Sequence, residues 1–529
     1  MLFRDWCRSK RPALSWFSLK ENHSSRSLPN RSHCETALVV KAKAKWWVIA
    51  LLTPAVLLVH GYHPLADDGA VYVAGIKKLA NPDLYQSDAV FALSPTNLSV
   101  FAHLLAPLIR WVPLPGLLLV CQLASIFLFL LGSWRVAKQL FSTPQARWGA
   151  VLLAACCFTL PVAGTSLTIM DPYVTARSFS MPLSLFALAA MLDEGWGWSV
   201  FWLALAALLH PLMAVYSAIA MLTVALCQRR LWRSLGLLYG LGWLVCAAIF
   251  LASHRADTTA AYSRAALSRS YFFLSSWKWY EYPGLLIPLL LLGIAGTNKH
   301  TPWRARAFAL AATVMGGGAL LVSLCFVHRS GSLLLARLQV LRGFQFVYIA
   351  GVLLAGGLLA KLRPRTIIAL CLLIAGSLFA GQRLTYPESH HVEWPGLTPP
   401  NRWQQAFLWI RSNTPGNAIF ALDNDYIESP GEDAQGFRAS AERSAVADWY
   451  KDGGIASNFP QAAIPWWQGS NATEHLNSAT DEQRLARLKP FGVTWIVLPA
   501  EAGTGFPCPF INARVRVCQV AVWRTNGAK

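Results

Sequence analysis

Gly61-Tyr62-His63-Pro64-Leu65-Ala66-Asp67-Asp68-Gly69 follows directly on residues 46–60, the first run apolar enough to enter a bilayer. Two adjacent carboxylates therefore stand where a helix leaves the membrane. Acidic side chains at that depth are costly unless they are paired or wetted, which makes them functional suspects. The bland reading is that Asp67 or Asp68 caps a helix expected over 71–79. The choice between the two turns on what the rest of the chain sets on the same side.

Working outward, apolar runs recur at 114–133, 148–164, 179–192, 198–209, 212–227, 235–253, 285–296, 307–327, 347–360 and 367–380. With 46–60 they predict a polytopic α-helical membrane protein of about eleven spans. Composition agrees: 55% of the 529 residues are hydrophobic and 14% are charged, against roughly 25% charged in soluble chains. The net charge of +20 does not point to nucleic acid. Its basic residues gather between runs, at Lys41, Lys43 and Lys45, Arg135, Lys138 and Arg147, Arg229, Arg230 and Arg233, Lys299, Arg304 and Arg306, and Lys361, Arg363 and Arg365. That is where the positive-inside rule expects them, and no basic stripe with interleaved aromatics appears.

Those clusters set the orientation. Residues 1–45 read as a basic, disordered cytoplasmic leader and 46–60 as an uncleaved signal anchor. The first loop and the C-terminus then lie outside, as in a bacterial inner-membrane protein with a periplasmic tail. The segment 97–111 is apolar but carries His103 and Arg110, and is read as an interfacial helix. The transmembrane domain spans 46–382. Residues 383–529 change texture: helix 402–413, strand 418–423, helix 481–488, strand 494–499 and an alternating strand over 514–524 predict a small extracytoplasmic α/β domain. Most of the eleven cysteines lie in apolar runs, with no zinc-type spacing. Cys508 and Cys518 form the one pair in the tail, a disulfide candidate if that tail is outside the cytoplasm.

On the outer side this topology gathers Asp67, Asp68, His103, Asp171, Arg177, His210, His328, Arg329, Arg337 and Arg342. A carboxylate serves as general base toward a hydroxyl, and arginine grips phosphate while staying charged. Two acidic loops together also suit a divalent cation, with Asp68 and Asp171 the candidate ligands. Each residue has a plainer reading. Arg329 and Arg337 fit as snorkelling interfacial arginines, His210 before Pro211 as a helix terminator, and Asp171-Pro172 as a helix start. Arg342 stands in a leucine-rich run with Gln339 and Gln345, where a purely structural arginine is costly.

An acidic pair in the first outer loop, a second acidic loop after the third span, many short helices and a C-terminal outer domain together resemble the GT-C superfamily. These are integral-membrane glycosyltransferases that use polyprenyl- or dolichyl-phosphate sugars. The resemblance covers 46–380 at the level of layout. It implies that Asp67 or Asp68 is the first-loop catalytic acid and that Asp171 answers to the second acidic loop. It also implies that Arg342, in Leu338-Gln339-Val340-Leu341-Arg342, meets the donor phosphate; from the outer-face constellation itself, Arg177, His210 and His103 are the further substrate-binding candidates. The implied reaction is inverting transfer from a lipid-linked sugar donor to an acceptor hydroxyl. Two features depart from the pattern: the second loop offers one acid followed by proline, and the tail holds no Trp-Trp-Asp-like acceptor motif, Ile464-Pro465-Trp466-Trp467-Gln468 not being one. The loop 254–283, with Tyr271, Trp277, Trp279 and Tyr280, reads either as a lid or as an interfacial aromatic belt. A secondary transporter and a non-catalytic scaffold are the competing classes. The first needs ionisable groups near mid-membrane and access from both sides; the second tolerates loss of the acids.

Overall fold

The computed structural model describes residues 31–253, 259–429 and 431–520, with side chains described from Trp46 on. Residues 1–30 of the expected leader lie outside the described residues. The first helix, Arg31–His60, begins inside the segment read as leader. The chain divides after Val48, and from Ile49 on the described residues form one compact unit, which holds the site.

Among the described residues, seven helices are long and apolar enough to cross a membrane: Leu114–Leu140, Pro211–Gln228, Trp232–Ser253, Trp279–Thr297, Trp303–Phe326, Leu333–Leu359 and Pro364–Thr385. Trp46–His60, Ala176–Leu192 and Trp196–Leu209 are apolar but shorter. This is an integral membrane protein, with these shorter apolar helices standing beside the seven full-length ones where about eleven spans are expected. The span expected at 148–164 is one correction. Its helix, Pro144–Cys156, ends early, and the chain turns into a two-stranded hairpin, Pro161–Val162 on Leu167–Thr168. Pro161 cannot continue a helix, and Gly164 takes the left-handed turn position at φ +62°. The interfacial helix expected at 97–111 shrinks to Phe101–Leu108, bent 113° from Ala89–Leu98. Ser99 makes the corner, its Oγ donating to the Leu209 carbonyl (2.5 Å) and accepting the Phe101 N–H (3.1 Å).

Helix packing in lipid depends on close backbone approach rather than on a hydrophobic drive. Gly149 and Gly356 show it: a Cβ on either would sit about 2.5 Å from the other's carbonyl oxygen, so Pro144–Cys156 and Phe344–Leu359 pack backbone to backbone. Trp232–Ser253 and Pro364–Thr385 are barely covered by protein, as befits lipid-facing helices.

The tail builds a five-stranded sheet in the order Ser444–Ala445, Ile419–Ala421, Trp495–Pro499, Val515–Gln519, Phe510–Ile511, parallel across the first three strands and antiparallel beyond. Period-two alternation divides its side chains between two cores. Phe420, Trp495, Val497, Val515 and Val517 face helix Arg402–Asn413, while Ala421, Ile496, Leu498 and Cys518 face the other way. That helix starts in a capping box, Asn401 Oδ1 accepting the Gln404 N–H at 2.8 Å and Gln404 returning the bond. Cys508 and Cys518 are joined as a disulfide.

Residues from 383 on are tied to the helices by single long-range contacts. Arg438 pairs with Asp88, Lys77 donates to the Ala439 carbonyl (2.7 Å) and Glu442 (2.6 Å), and Arg269 donates to the carbonyls of Trp449 and Tyr450 (both 2.7 Å).

Candidate functional site

The site forms where the first loop, the hairpin loop and the tail converge. The first loop ends in a tight turn, the Gly69 N–H donating to the Ala66 carbonyl at 2.9 Å. Asp67 holds φ +48° and ψ −126° there, a region glycine prefers; such strain costs about 1–3 kcal/mol and is kept only where neighbours impose it. Asp67 occupies the cap position of helix Asp68–Ala80 but makes no side-chain cap bond, which removes the capping account of this acid. Gly69 lets the helix sit close, since a Cβ there would lie 2.7 Å from the Pro64 carbonyl oxygen and 3.2 Å from Tyr173 Cβ. The His63 N–H donates to the Pro172 carbonyl at 2.9 Å, locking the first loop to the second.

The two aspartates diverge. Asp68 Oδ2 accepts from Arg177 Nη1 at 3.0 Å, and Asp68 lines a cavity of about 490 Å³. Asp67 turns toward the tail, where Oδ2 accepts from the Tyr173 hydroxyl at 2.9 Å and Oδ1 pairs with Lys451. Lys451 Nζ also stands 4.0 Å from Asp68 Oδ1. Burial, reinforced by the Asp171 and Asp68 carboxylates, holds the Tyr173 phenol well above its ordinary value, so it remains a donor.

Asp171 lies behind this layer. It is 7% exposed, with Oδ1 accepting from Thr168 Oγ1 at 2.9 Å and Oδ2 from Arg177 Nη2 at 3.0 Å. Both of its oxygens are engaged, and it is not among the residues that line the cavity. Arg177, 6% exposed, spans the gap between Asp68 and Asp171. That is where the sequence reading would have put a cation, and among the described residues no cluster of three or more His, Cys, Asp or Glu is arranged to hold a metal ion.

The cavity wall also carries Arg342, in a 3-10 turn, Val340–Gly343, reached through Gln339 in the left-handed conformation at φ +53°. This break in the Leu333–Leu359 span aims the guanidinium across the Tyr271 ring, 5.6 Å from its centroid. Among the described residues its Nε is buried without a hydrogen-bond partner and no carboxylate pairs with it. His210 is also on the wall; its Nδ1 accepts the Met213 N–H at 3.4 Å, so it terminates one helix, caps the next and faces the cavity at once. Leu98, Leu209, Leu212 and Val215 supply the apolar side, and Tyr450, Gly454 and Asn458 of the tail close the top.

Several sequence expectations are not gathered here. His103 is exposed on Phe101–Leu108 and is no part of this wall. Arg329 is exposed and donates to Ser276 at 3.3 Å, and His328 bonds Ser330 at 3.0 Å. Of the loop aromatics, Tyr271 backs Arg342 and Trp277 is buried against Gly164, while Trp279 and Tyr280 remain exposed; residues 254–258 of that loop lie outside the described residues. The sequence reading missed Lys451. Its segment is placed by Arg438, which grips both oxygens of Asp452 at 2.9 Å, and by Arg269. Burial pushes the Lys451 ammonium down to about 8 and, with Asp452 beside it, lifts the Asp448 carboxyl to about 8.

No protein-family model matches the sequence, and no curated protein does. Among solved structures, the chain is similar to the Archaeoglobus fulgidus oligosaccharyltransferase tethered with an acceptor peptide containing the NVT sequon. The identity is 13%, over 86% of this chain and 68% of that one, at a TM-score of 0.41. It is likewise similar to the oligosaccharyltransferase AglB from the same organism in complex with an inhibitory peptide and a dolichol-phosphate, at 12% identity over 86% and 69% and a TM-score of 0.41. Both are membrane glycosyltransferases of the GT-C superfamily, the one the sequence layout resembles. At this identity and TM-score the likeness gives no residue of this chain a role.

Proposed function

We propose that the chain transfers a sugar from a polyprenyl-phosphate-linked donor to an acceptor hydroxyl at the outer face of the membrane. The observation that carries this reading is Arg342, a cation without a carboxylate partner among the described residues, set in a cavity with apolar walls. Such a wall suits an amphiphile with an anionic head, and arginine suits phosphate. The donor phosphate sits against Arg342 and Arg177, and its chain follows Leu98, Leu209, Leu212 and Val215.

Asp68, which lines the same cavity, takes the acceptor hydroxyl proton. The acceptor oxygen forms its bond to the anomeric carbon from the face opposite the leaving group, inverting it. The carbon–oxygen bond to phosphate breaks, and the departing lipid phosphate carries the electron pair to the two arginines. Donors aimed at developing charge contribute about 3–4 kcal/mol each, or ten-to-the-two to ten-to-the-three in rate.

The test is transfer from a radiolabelled panel of polyprenyl-phosphate sugars in proteoliposomes, with donor hydrolysis followed in parallel. Asp68→Asn is expected to lose turnover by a factor of about 100 or more while remaining folded, and Asp67→Asn to lose less. Equal activity in Asp68→Asn and wild type would sink the assignment of the base. A substrate accessible from both membrane faces, moved without bond cleavage, would put the chain among transporters.

A further inference from the structure

The acids read from the sequence as a divalent-cation site do not fit one in this fold. A hard cation needs several carboxylate or carbonyl oxygens free to turn inward. Here Asp171 spends one oxygen on Thr168 and the other on Arg177, and Arg177 closes the space to Asp68. Asp67 spends its oxygens on Tyr173 and Lys451. Lys451 Nζ lies between the adjacent carboxylates, paired with Asp67 and 4.0 Å from Asp68. Three carboxylates are thus met by two cations the chain itself supplies, one from the helix after the second loop and one from the tail.

We infer that Lys451 is the resident cation of the acid pair, a positioning residue lent by the tail that stands where the layout of the loops would suggest a divalent metal. Three features hold it in place. Arg269 pins the carbonyls of Trp449 and Tyr450, Arg438 grips Asp452, and the Lys451 N–H donates to Asp448 Oδ1 at 2.6 Å. The residues before and after Lys451 are therefore fixed by side chains from elsewhere in the fold, and the ammonium has little freedom to leave. Lys451 also borders both the donor cavity and a smaller space on the Asp67 side, which includes Tyr426 and Asp448. It keeps Asp67 turned away from the donor and leaves Asp68 facing it. The inference uses the glycosyl-transfer reading only for what Asp68 does; the exchange of ammonium for metal is read without turnover.

The experiment titrates Mn²⁺ into purified full-length protein in nanodiscs and follows free Mn²⁺ by electron paramagnetic resonance, comparing wild type, Lys451→Arg and Lys451→Gln. Wild type and Lys451→Arg are expected to bind no Mn²⁺ at the acid pair. Lys451→Gln, which removes the ammonium and bares the carboxylates, is expected to gain one site that wild type lacks, at least about tenfold tighter than nonspecific Mn²⁺ binding to wild type, and Asp67→Asn in that background to abolish it. Mn²⁺ bound by wild type and lost in Asp68→Asn would overturn the inference, as would Lys451→Gln binding no more than wild type while its melting profile remains that of Lys451→Arg. In the transfer assay, chelation is expected to leave wild-type turnover unchanged. A chain with no transferase activity at all would defeat the functional reading yet leave the Mn²⁺ result standing.

Discussion

The pair Asp171 and Arg177 shows most plainly how the site is balanced. Both are nearly sealed from solvent, and removing one partner of such a pair strands the other's charge at about 3–5 kcal/mol. Arg177→Leu should therefore lower the denaturant midpoint sharply, and Asp171→Asn added to it should restore part of the loss; a double variant no better than the single would show that the two do not depend on each other. Lys451 gives a pH signature. Its ammonium titrates at about 8, lowered by burial, so it is charged below that value and neutral above it, and the groups facing it are Asp67, Asp68, Asp448 and Asp452. Transfer should fall as pH rises through about 8, and Lys451→Arg should push that limb upward. The folded protein sheds this proton before the unfolded chain does, so between about 8 and the ordinary lysine value of about 10.4 this group makes the fold more stable with rising pH. Lost activity with intact melting would separate the titration from unfolding. Asp67, Asp68, Asp171, Arg177, His210 and Arg342 were legible in the sequence because charge is conspicuous in apolar surroundings. Lys451 was not, since a lysine in a polar tail looks like any other and its partners lie in a distant loop. His103 misled for a related reason: one histidine on a short apolar helix does not reveal which face it occupies.

At the scale of elements, the site depends on two interruptions. One is the turn that starts helix Asp68–Ala80, where Gly69 admits Pro64 and Tyr173 to close range. Gly69→Ala must displace one of them, costing about 1–3 kcal/mol and moving Tyr173 from Asp67; an unchanged unfolding profile and unchanged transfer would show that the close approach is dispensable. The other is the break at Gln339, without which Arg342 would lie on a continuous helix. The run of arginines and glutamines among leucines signalled something unusual there, but the left-handed residue that makes the break is a glutamine, which carries no such signature. Helix Arg402–Asn413 was readable to the residue because Trp403, Phe407 and Ile410 at helical spacing run up to a Thr414-Pro415-Gly416 stop. The helix expected at 148–164 was not, because an apolar run does not show where a hairpin replaces a turn of helix.

At the scale of the molecule, the tail belongs to the candidate site: Tyr450, Lys451, Gly454 and Asn458 help to wall the cavity that Asp68 and Arg342 line. Arg438 anchors that arrangement by joining Asp88 of the helical part to Asp452 of the tail, carboxylates that are 6% and 1% exposed. Arg438→Ala should loosen the tail, seen as faster proteolysis of the segment between Thr385 and Asn401 together with reduced transfer; wild-type cleavage rates would contradict the docking role. Sequence texture gave no sign of the tail's attachment, because the bolts are single long-range ion pairs that leave no periodic trace. In the proposed function, Arg342 receives a lipid-linked phosphate. The most direct measurement is native mass spectrometry of the purified protein incubated with a polyprenyl phosphate, wild type against Arg342→Ala. One retained lipid in wild type, lost in the variant while a neutral polyprenol is retained by neither, is the predicted result. Equal retention of the phosphate by both proteins would contradict it.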